Sequence, residues 1–529
     1  MHREVNPTMV TGFVVAYLVG TVVIGLVSAR LVKNSKDFIV AGRRLPLYMS
    51  ATALFATWFG AETMLGASSR INNEGLMGAI EDPFGASLCL FLIGAVFARP
   101  LYRSNLLTFG DFFRNRFGRR AELLSAVFIV VSYFGWVAAQ IVALGILFNT
   151  VTGLPVWASM LVGISLVVLY TFFGGMWAVS ITDFVQTFLI IASLIAICVI
   201  LAAQAGGVMA VLEDRPEGFY SVLPEWGLHP MLEYVTAWMA IGLGSIPQQD
   251  LFQRINSAKS EKVAVRAAYV GGFMYLTVAM MPLFIAMTVR NLHPDLLALD
   301  DHQVIVPMLI RLYTNPLIQV LFYGALLSAI LSTASAAILA PSVIISENLI
   351  RPHFPGMSDR RFLWITRLAI IGVAAAAIVL ALPQGAIESA ARKAAETALS
   401  GTGVPAAGTA PDAAVAAAAV PEAAREMASG GLPSIFELVA DSYTATLVAL
   451  LVPLTAGIYW RRANTRGCLA AMGAGLIAWA LSEYVLDWGF AAKVIGFVAS
   501  ILGMVVGTLT VRRDADVGAG PVSPVPPPA

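Results

Sequence analysis

Long apolar stretches, each able to cross a bilayer, follow one another along this chain and are separated by shorter connections that carry most of its charge. The pattern predicts helical spans at 9–27, 46–69, 76–100, 121–149, 155–173, 180–203, 231–252, 267–289, 316–346, 362–382, 434–459, 467–485 and 491–511, about thirteen in all. Two spans interrupt their own pattern at the same relative place. In the second, Ala56, Thr57, Trp58, Phe59 and Gly60 precede Glu62 and Thr63; in the seventh, Gly242, Gly244, Ser245 and Pro247 precede Gln248, Gln249 and Asp250. In a bilayer every backbone polar group must be satisfied internally, so such residues at midplane depth are tolerated where unwound backbone lines a cavity. Paired interruptions in the two halves of one chain point to the binding site of a secondary transporter.

Composition agrees with that reading. Of the 529 residues, 58% are hydrophobic and 12% charged, with a mean hydropathy of +0.79, which places the chain among all-α, multi-pass membrane proteins. A net charge of +1 without a basic stripe or acidic block gives no reason to expect a nucleic-acid partner. Cys89, Cys198 and Cys468 fall inside spans without CxxC spacing and read as packing residues. His2, His229, His293, His302 and His353 lie in termini and connections, so no metal or acid-base cluster is expected. The first apolar stretch has no strongly basic region before it and reads as a retained helix rather than a cleaved signal.

Basic residues set the orientation. Arg30, Lys33, Lys36, Arg43 and Arg44 follow the first span, Arg103, Arg114, Arg116, Arg119 and Arg120 the third, and Lys259 and Lys262 the seventh. The same face collects Arg351, Arg360 and Arg361, then Arg461, Arg462 and Arg466, then Arg512 and Arg513. By the positive-inside rule the N-terminus is extracytoplasmic and the C-terminus cytoplasmic, in the cell's inner (plasma) membrane. Residues 1–513 form the transmembrane domain. Within it, 383–431 is an Ala/Gly/Pro-rich extracytoplasmic insertion, in which Glu388, Arg392, Lys393 and Glu396 are spaced like a short exposed helix; a lid or partner site is the other reading. The Pro-rich segment 514–529 is expected to be a disordered cytoplasmic tail.

An ion-coupled transporter needs oxygen ligands, and a hard cation such as sodium takes about five or six. The break at 56–60 offers carbonyls, and Ser332 and Thr333, one turn after Ala329 in the ninth span, offer hydroxyls. Hydroxyl residues in membrane helices also serve close packing and bond their own preceding carbonyls, so the cluster alone has two readings.

The break in the second span, the run through Gly174, Gly175, Ala178, Val179, Thr182, Asp183 and Gln186, the segment Phe252, Gln253, Arg254 to Ala258, Lys259, and the stretch from Ala329 to Thr333 together resemble the sodium/solute symporter family over roughly residues 8–511. The resemblance implies a leucine-transporter-type architecture, with inverted five-helix repeats at spans two to six and seven to eleven. It also implies sodium as coupling ion, bound by the carbonyls of Ala56, Phe59 and Ala329 and the hydroxyls of Ser332 and Thr333. Asp183 would lie along the ion's inward exit path; a helix N-cap is its alternative role. The function so implied is sodium-coupled symport of a small polar organic solute by alternating access, not enzymatic catalysis, and a transporter-like solute sensor is the alternative.

Solute contacts are expected from Trp58, Glu62, Thr63, Glu81, Asp82, Trp136, Gln248 and Gln249. Ionised acids in a membrane interior are costly, so Glu62, Glu81 and Asp82 suggest a polar or cationic ligand, or else one or two of them form a gate pair or helix cap at the membrane edge. Indole faces at Trp58 and Trp136 suit a cation; simple packing or interfacial placement is the other reading of both. Ala56 to Trp58, Pro83, Gly85, Trp136, Gly145 and Ile246 with Pro247 most resemble the choline-transporter branch, which implies a quaternary ammonium or small amine. That branch carries Trp after Ile-Pro where this chain has Gln248; Gln248 and Gln249 suit an amino acid, carboxylate or sugar as the alternative solute. The sequence leaves the oligomeric state open.

Overall fold

The computed structural model describes residues 7–213, 215–298, 305–401 and 435–510. These are helical almost throughout, and the only β-type pairing recorded among them is an isolated bridge between Leu45 and Ala258. The first helix, α1 (Pro7–Ser28), exposes Val15, Val19, Val23 and Val27 while burying Val14, Leu18, Thr21 and Ser28. An outward face of valines and an inward face with hydroxyls is the pattern expected of a helix with lipid on one side and a bundle on the other.

Both interruptions are real breaks. Helix α2 (Leu47–Ala56) stops before Thr57, and helical geometry resumes at Glu62. The seventh span divides into α6 (Leu228–Gly244) and α7 (Gln249–Ser257), with Ser245 to Gln248 unwound between them. A further break lies where the third span was expected to be continuous. The chain turns at Gly75 (φ 60°), and Asp82 is extended (φ −143°, ψ 121°) before the helix continues from Ala86. Glu81 and Asp82 therefore sit at a break rather than inside a regular helix.

Between the third and fourth spans lies a short amphipathic helix, α3 (Phe109–Phe117), fixed by a reciprocal cap in which Thr108 and Asp111 satisfy each other's backbone N–H groups. It leads into α4 (Arg119–Thr152). The next helical run, α5 (Val156–Gln204), has 49 residues. At 1.5 Å per residue it would extend about 74 Å if straight, more than twice the roughly 30 Å hydrocarbon core. It is instead two spans joined at Gly175 (φ 50°, ψ −139°), so the connection expected at 174–179 shrinks to a single residue. Only glycine suits this point, because the backbone is left-handed and a Cβ would lie 2.5 Å from the Phe38 carbonyl oxygen.

The second half continues with α8 (Glu261–Val278), α9 (Met280–Leu292) and α10 (Pro316–Ile344). Helix α10 is buried along nearly its whole length against α4 and α5, which makes it the centre of the bundle. Then come α11 (Asp359–Gly401), α12 (Ile435–Thr446), α13 (Thr465–Tyr484) and α14 (Phe490–Leu509). Helix α11 runs through Pro383 to Gly401, so the first part of the expected insertion prolongs the tenth span. The rest of the insertion, 402–431, and the tail 514–529 lie outside the described residues.

Candidate functional site

At the first break, Thr57 Oγ1 donates back to the Ala53 carbonyl at 2.8 Å and the Gly60 N–H donates to the Trp58 carbonyl at 2.8 Å. Across from this turn, α10 presents Ser332, whose Oγ lies 3.2 Å from the Ala56 carbonyl oxygen and 2.5 Å from Asp183 Oδ1. Ser342 on the same helix bonds the carbonyl of Ile338, one turn back, and Ser335 bonds that of Ser332. That is the packing behaviour of hydroxyls in membrane helices. Ser332 departs from it by reaching two other spans. Thr333 Oγ1 is fully buried with no hydrogen-bond partner, and a Cβ on Gly60 would lie 2.7 Å from it. Phe59 and Ala329 are also fully buried.

Asp183 lies within α5, well past Gly175, and its carboxylate engages Ser332 and Arg254 rather than a helix's first N–H groups. The cap alternative is thereby replaced by a buried ion pair. Arg254, on α7 just after the second break, donates to Asp183 Oδ2 at 3.3 Å and through Nε to the Ala53 carbonyl at 2.8 Å. One side chain of the second broken span thus holds the end of α2 in place.

Glu62 opens the helix after the first break and is buried. It accepts from Trp136 Nε1 at 3.2 Å and from Gln140 Nε2 at 2.9 Å, both on α4. Both donors are neutral, and no cationic side chain pairs with Glu62 among the described residues. Thr63 Oγ1 lies 2.6 Å from Asp82 Oδ2, 2.7 Å from the Tyr275 hydroxyl and 3.1 Å from the Trp58 carbonyl. The other Asp82 oxygen and the Trp58 indole N–H are buried without partners. Trp136 also stands in an aromatic wall, with ring centroids 5.6 Å from Tyr133 on one side and 5.6 Å from Tyr443 on the other. The Tyr133 hydroxyl bonds the Asp250 carboxylate at the second break. Gln248 Nε2 donates to Thr446 Oγ1 at 3.3 Å, which leaves Gln248 Oε1 buried and unpaired.

Trp58, Glu62, Thr63, Asp82 and Trp136 are therefore linked around the first break, with Gln248 at the second. Two expected solute residues point elsewhere. Glu81 forms an ion pair with Arg70 at 3.3 Å, the gate-pair alternative. Gln249 accepts from the Phe109 N–H at 2.9 Å and donates to the Leu107 carbonyl at 3.2 Å, so its amide is consumed in anchoring the start of α3. Sequence reasoning did not single out Gln140, Tyr275, Tyr133 or Tyr443. Gln140 had a usable signal: it is polar, sits in an apolar span and falls one helical turn after Trp136, hence on the same face. Tyr133, one turn before Trp136, had the same signal, whereas Tyr275 and Tyr443 had none, since their partners come from distant spans.

The sequence model of the sodium:solute symporter family matches residues 38–405. The chain is 26% identical over 398 residues to high-affinity choline transporter 1 of Caenorhabditis elegans, an alignment covering 70% of this chain and 68% of that one. It is 29% identical over 393 residues to the sodium/proline symporter of Escherichia coli (strain K12), covering 71% and 77%. To the osmoregulated proline transporter OpuE of Bacillus subtilis (strain 168) it is 24% identical over 511 residues, covering 94% of each. Among solved structures it superposes on a Na+-coupled sialic acid symporter in a substrate-bound outward-open state, with a TM-score of 0.73 and 16% identity over 95% of this chain and 98% of the other. Mhp1, a nucleobase-cation-symport-1 family transporter, gives 0.57 and 14% over 89% and 94%. At such identities the likeness is one of fold, and that fold is the leucine-transporter type, with a broken helix opening each repeat.

Proposed function

The chain belongs to the sodium:solute symporter family, and on that footing we propose that its solute carries a positively charged nitrogen held at Glu62, while sodium binds on the other side of the first break. Sodium-coupled symport of a small solute across the membrane is the activity in question. The observation that carries the solute assignment is the buried Glu62 carboxylate, which has two neutral donors and no cationic partner among the described residues. Keeping such a charge in a membrane interior costs about 2.5 to 3.5 kcal/mol on insertion scales. A cationic ligand supplies the missing counter-charge. The wall of Tyr133, Trp136 and Tyr443 suits the same ligand, since a desolvated cation over an aromatic face gains on the order of 2 kcal/mol.

Choline and proline, named in the relatives, each carry a cationic nitrogen and a second, oxygen-bearing end. In this chain Gln248, with its Nε2 held by Thr446 and its Oε1 buried and unpaired, stands ready to accept from a donor at that second end. With Gln249 occupied elsewhere, the case for a sugar is weakened.

For sodium, the proposed ligands are the carbonyls of Ala56, Phe59 and Ala329 and the hydroxyls of Ser332 and Thr333. Support comes from Ser332 Oγ facing the Ala56 carbonyl at 3.2 Å and from the unpaired Thr333 hydroxyl. Asp183, within reach of Ser332, is the group that receives the ion on its way to the cytoplasm. The N-terminus is taken to be extracytoplasmic, following the basic connections. One sodium moving down −100 mV releases about 2.3 kcal/mol, and a tenfold gradient adds about 1.4 kcal/mol. Together these support roughly 500-fold accumulation of a solute whose ammonium is balanced by its own carboxylate, while a solute with net charge +1 gains about 2.3 kcal/mol more from the same potential.

The test is thermal stabilisation of the purified protein by a panel of solutes with and without sodium, because any ligand of the folded state raises its melting temperature. Ammonium-bearing solutes should stabilise, and more so with sodium. Stabilisation by sugars or dicarboxylates alone rejects the cationic solute, and shifts indifferent to sodium reject the ion site.

A further inference from the structure

Away from the solute and ion sites, a groove of ≈ 580 Å³ opens on the surface of the bundle, with Phe97, Leu243, Ile246, Ala456, Trp460 and Ile501 among its lining residues. This lies within the roughly 300 to 1,000 Å³ of pockets that enclose small ligands. The two hydroxyls at its edge are already used: Thr455 Oγ1 donates to the Leu451 carbonyl at 2.8 Å and Tyr459 to the Val96 carbonyl at 2.6 Å. The groove therefore offers hydrocarbon contacts and asks for no polar ligand body.

A groove facing lipid will be filled by lipid, but its walls cannot choose among lipids, because acyl chains are as apolar as leucine. Selection has to come from the rim. Trp460 ends one wall, a residue type enriched at membrane interfaces, and is followed directly by the exposed Arg461 and Arg462. Neither arginine has an ion-pair partner among the described residues. Their backbone is held from below: Arg116 donates to the carbonyls of Gly457 at 3.0 Å, Trp460 at 3.1 Å and Arg461 at 3.4 Å. Two unpaired cations on a fixed rim above an apolar groove complement a lipid phosphate above its acyl chain.

We infer that this groove is a binding site for an anionic phospholipid, with one acyl chain against Leu243 and Ile246 and the headgroup at Arg461 and Arg462. The position matters because Leu243 lies in the last turn of the helix before the second break and Ile246 lies within the break, next to the turn that carries Gln248. The Gly244 carbonyl accepts from Thr446 at 2.7 Å, and Thr446 in turn accepts from Gln248. A chain in the groove backs the same turn that carries Gln248. This assignment does not depend on which solute is carried.

The experiment is native mass spectrometry, with melting temperature in parallel, on the full-length protein in detergent titrated with phosphatidylglycerol or with phosphatidylcholine of identical chains. Wild type should retain phosphatidylglycerol over phosphatidylcholine by on the order of tenfold and be stabilised by it. Arg461→Gln with Arg462→Gln, both surface changes, should remove the preference, and Ala456→Trp should expel both lipids by filling the groove. Equal retention of the two headgroups by wild type overturns the proposal, as does a preference that survives the double arginine change. Should Ala456→Trp not fold, the arginine pair decides alone.

Discussion

The Arg254 guanidinium lies 3.3 Å from the Asp183 carboxylate, and the two side chains are 1% and 0% exposed. Taking both charges out of water is expensive, so the pair is held by what surrounds it: the Ala53 carbonyl for the arginine and Ser332 for the acid. Removing one partner leaves the other charged and buried. Arg254→Gln and Asp183→Asn should each cost about 3 to 5 kcal/mol of stability, and the arginine change should be the worse, because it also frees the end of α2. The double variant should recover much of the loss in melting temperature without recovering transport. Costs that simply add in the double variant show that the pair is not coupled.

Ser332→Ala and Thr333→Ala, singly, should each raise the sodium concentration for half-maximal uptake by about tenfold, which corresponds to about 1.4 kcal/mol, with expression preserved. Ser342→Ala is the matched control: its hydroxyl bonds Ile338 on its own helix and should leave sodium dependence where it was. Uptake titrated with sodium in proteoliposomes reads all three. A sodium curve unmoved by the first two variants removes them from the ion site.

Glu62→Gln keeps a side chain of the same shape between Trp136 and Gln140, removes the charge and turns one acceptor into an NH2 that the Gln140 amide can meet by rotating. Solute affinity should fall at least tenfold, about 1.4 kcal/mol or more. Folding should not suffer, since a neutral amide is easier to bury than a carboxylate. Isothermal titration with a cationic solute measures both the fall and, through the competent fraction, the fold. Unchanged affinity in the glutamine variant means the carboxylate does not face the ligand.

Much of this molecule was legible because its irregularities are written where glycine, proline and polar residues cluster inside an apolar span. Gly60 and the pair Gly244 and Pro247 marked both breaks, and Ser332 with Thr333 marked the hydroxyl face opposite the first. The break at Asp82 carried a similar mark in Pro83 and Gly85 but was read as part of a continuous span, because nothing nearby shortened the apolar run. Which acids turn inward could not be read at all. Glu81 and Asp82 are adjacent, yet one meets Arg70 and the other Thr63, a choice made by the backbone direction at the break rather than by residue type. Gln248 and Gln249 divide in the same way, the second being claimed by the N–H of Phe109, more than a hundred residues away. Tertiary partners of that kind leave no local trace.

Orientation can be checked directly. Arg103 and Glu261 pair at 2.7 Å between the ends of the third and eighth spans, on the face where the basic connections gather. A single cysteine at Arg461, in a variant with Cys89, Cys198 and Cys468 replaced by Ala, should react with a membrane-permeant maleimide in whole cells and resist an impermeant one. Labelling by the impermeant reagent inverts the topology.

Gly60 has Glu62 Oε2 and Thr333 Oγ1 within 2.7 Å of the one point where a side chain would begin. The carboxylate assigned to the solute and the hydroxyl assigned to sodium are thus separated by little more than the width of a methyl group. Such closeness leaves no room for a relay: whatever moves one ligand presses on the other. Linkage makes the effect mutual, since a change in one binding free energy through the other appears equally in both. With the two sites as proposed, solute selectivity and sodium affinity are not separate traits, and a pocket reshaped for a new solute will have its sodium requirement reset in the same stroke.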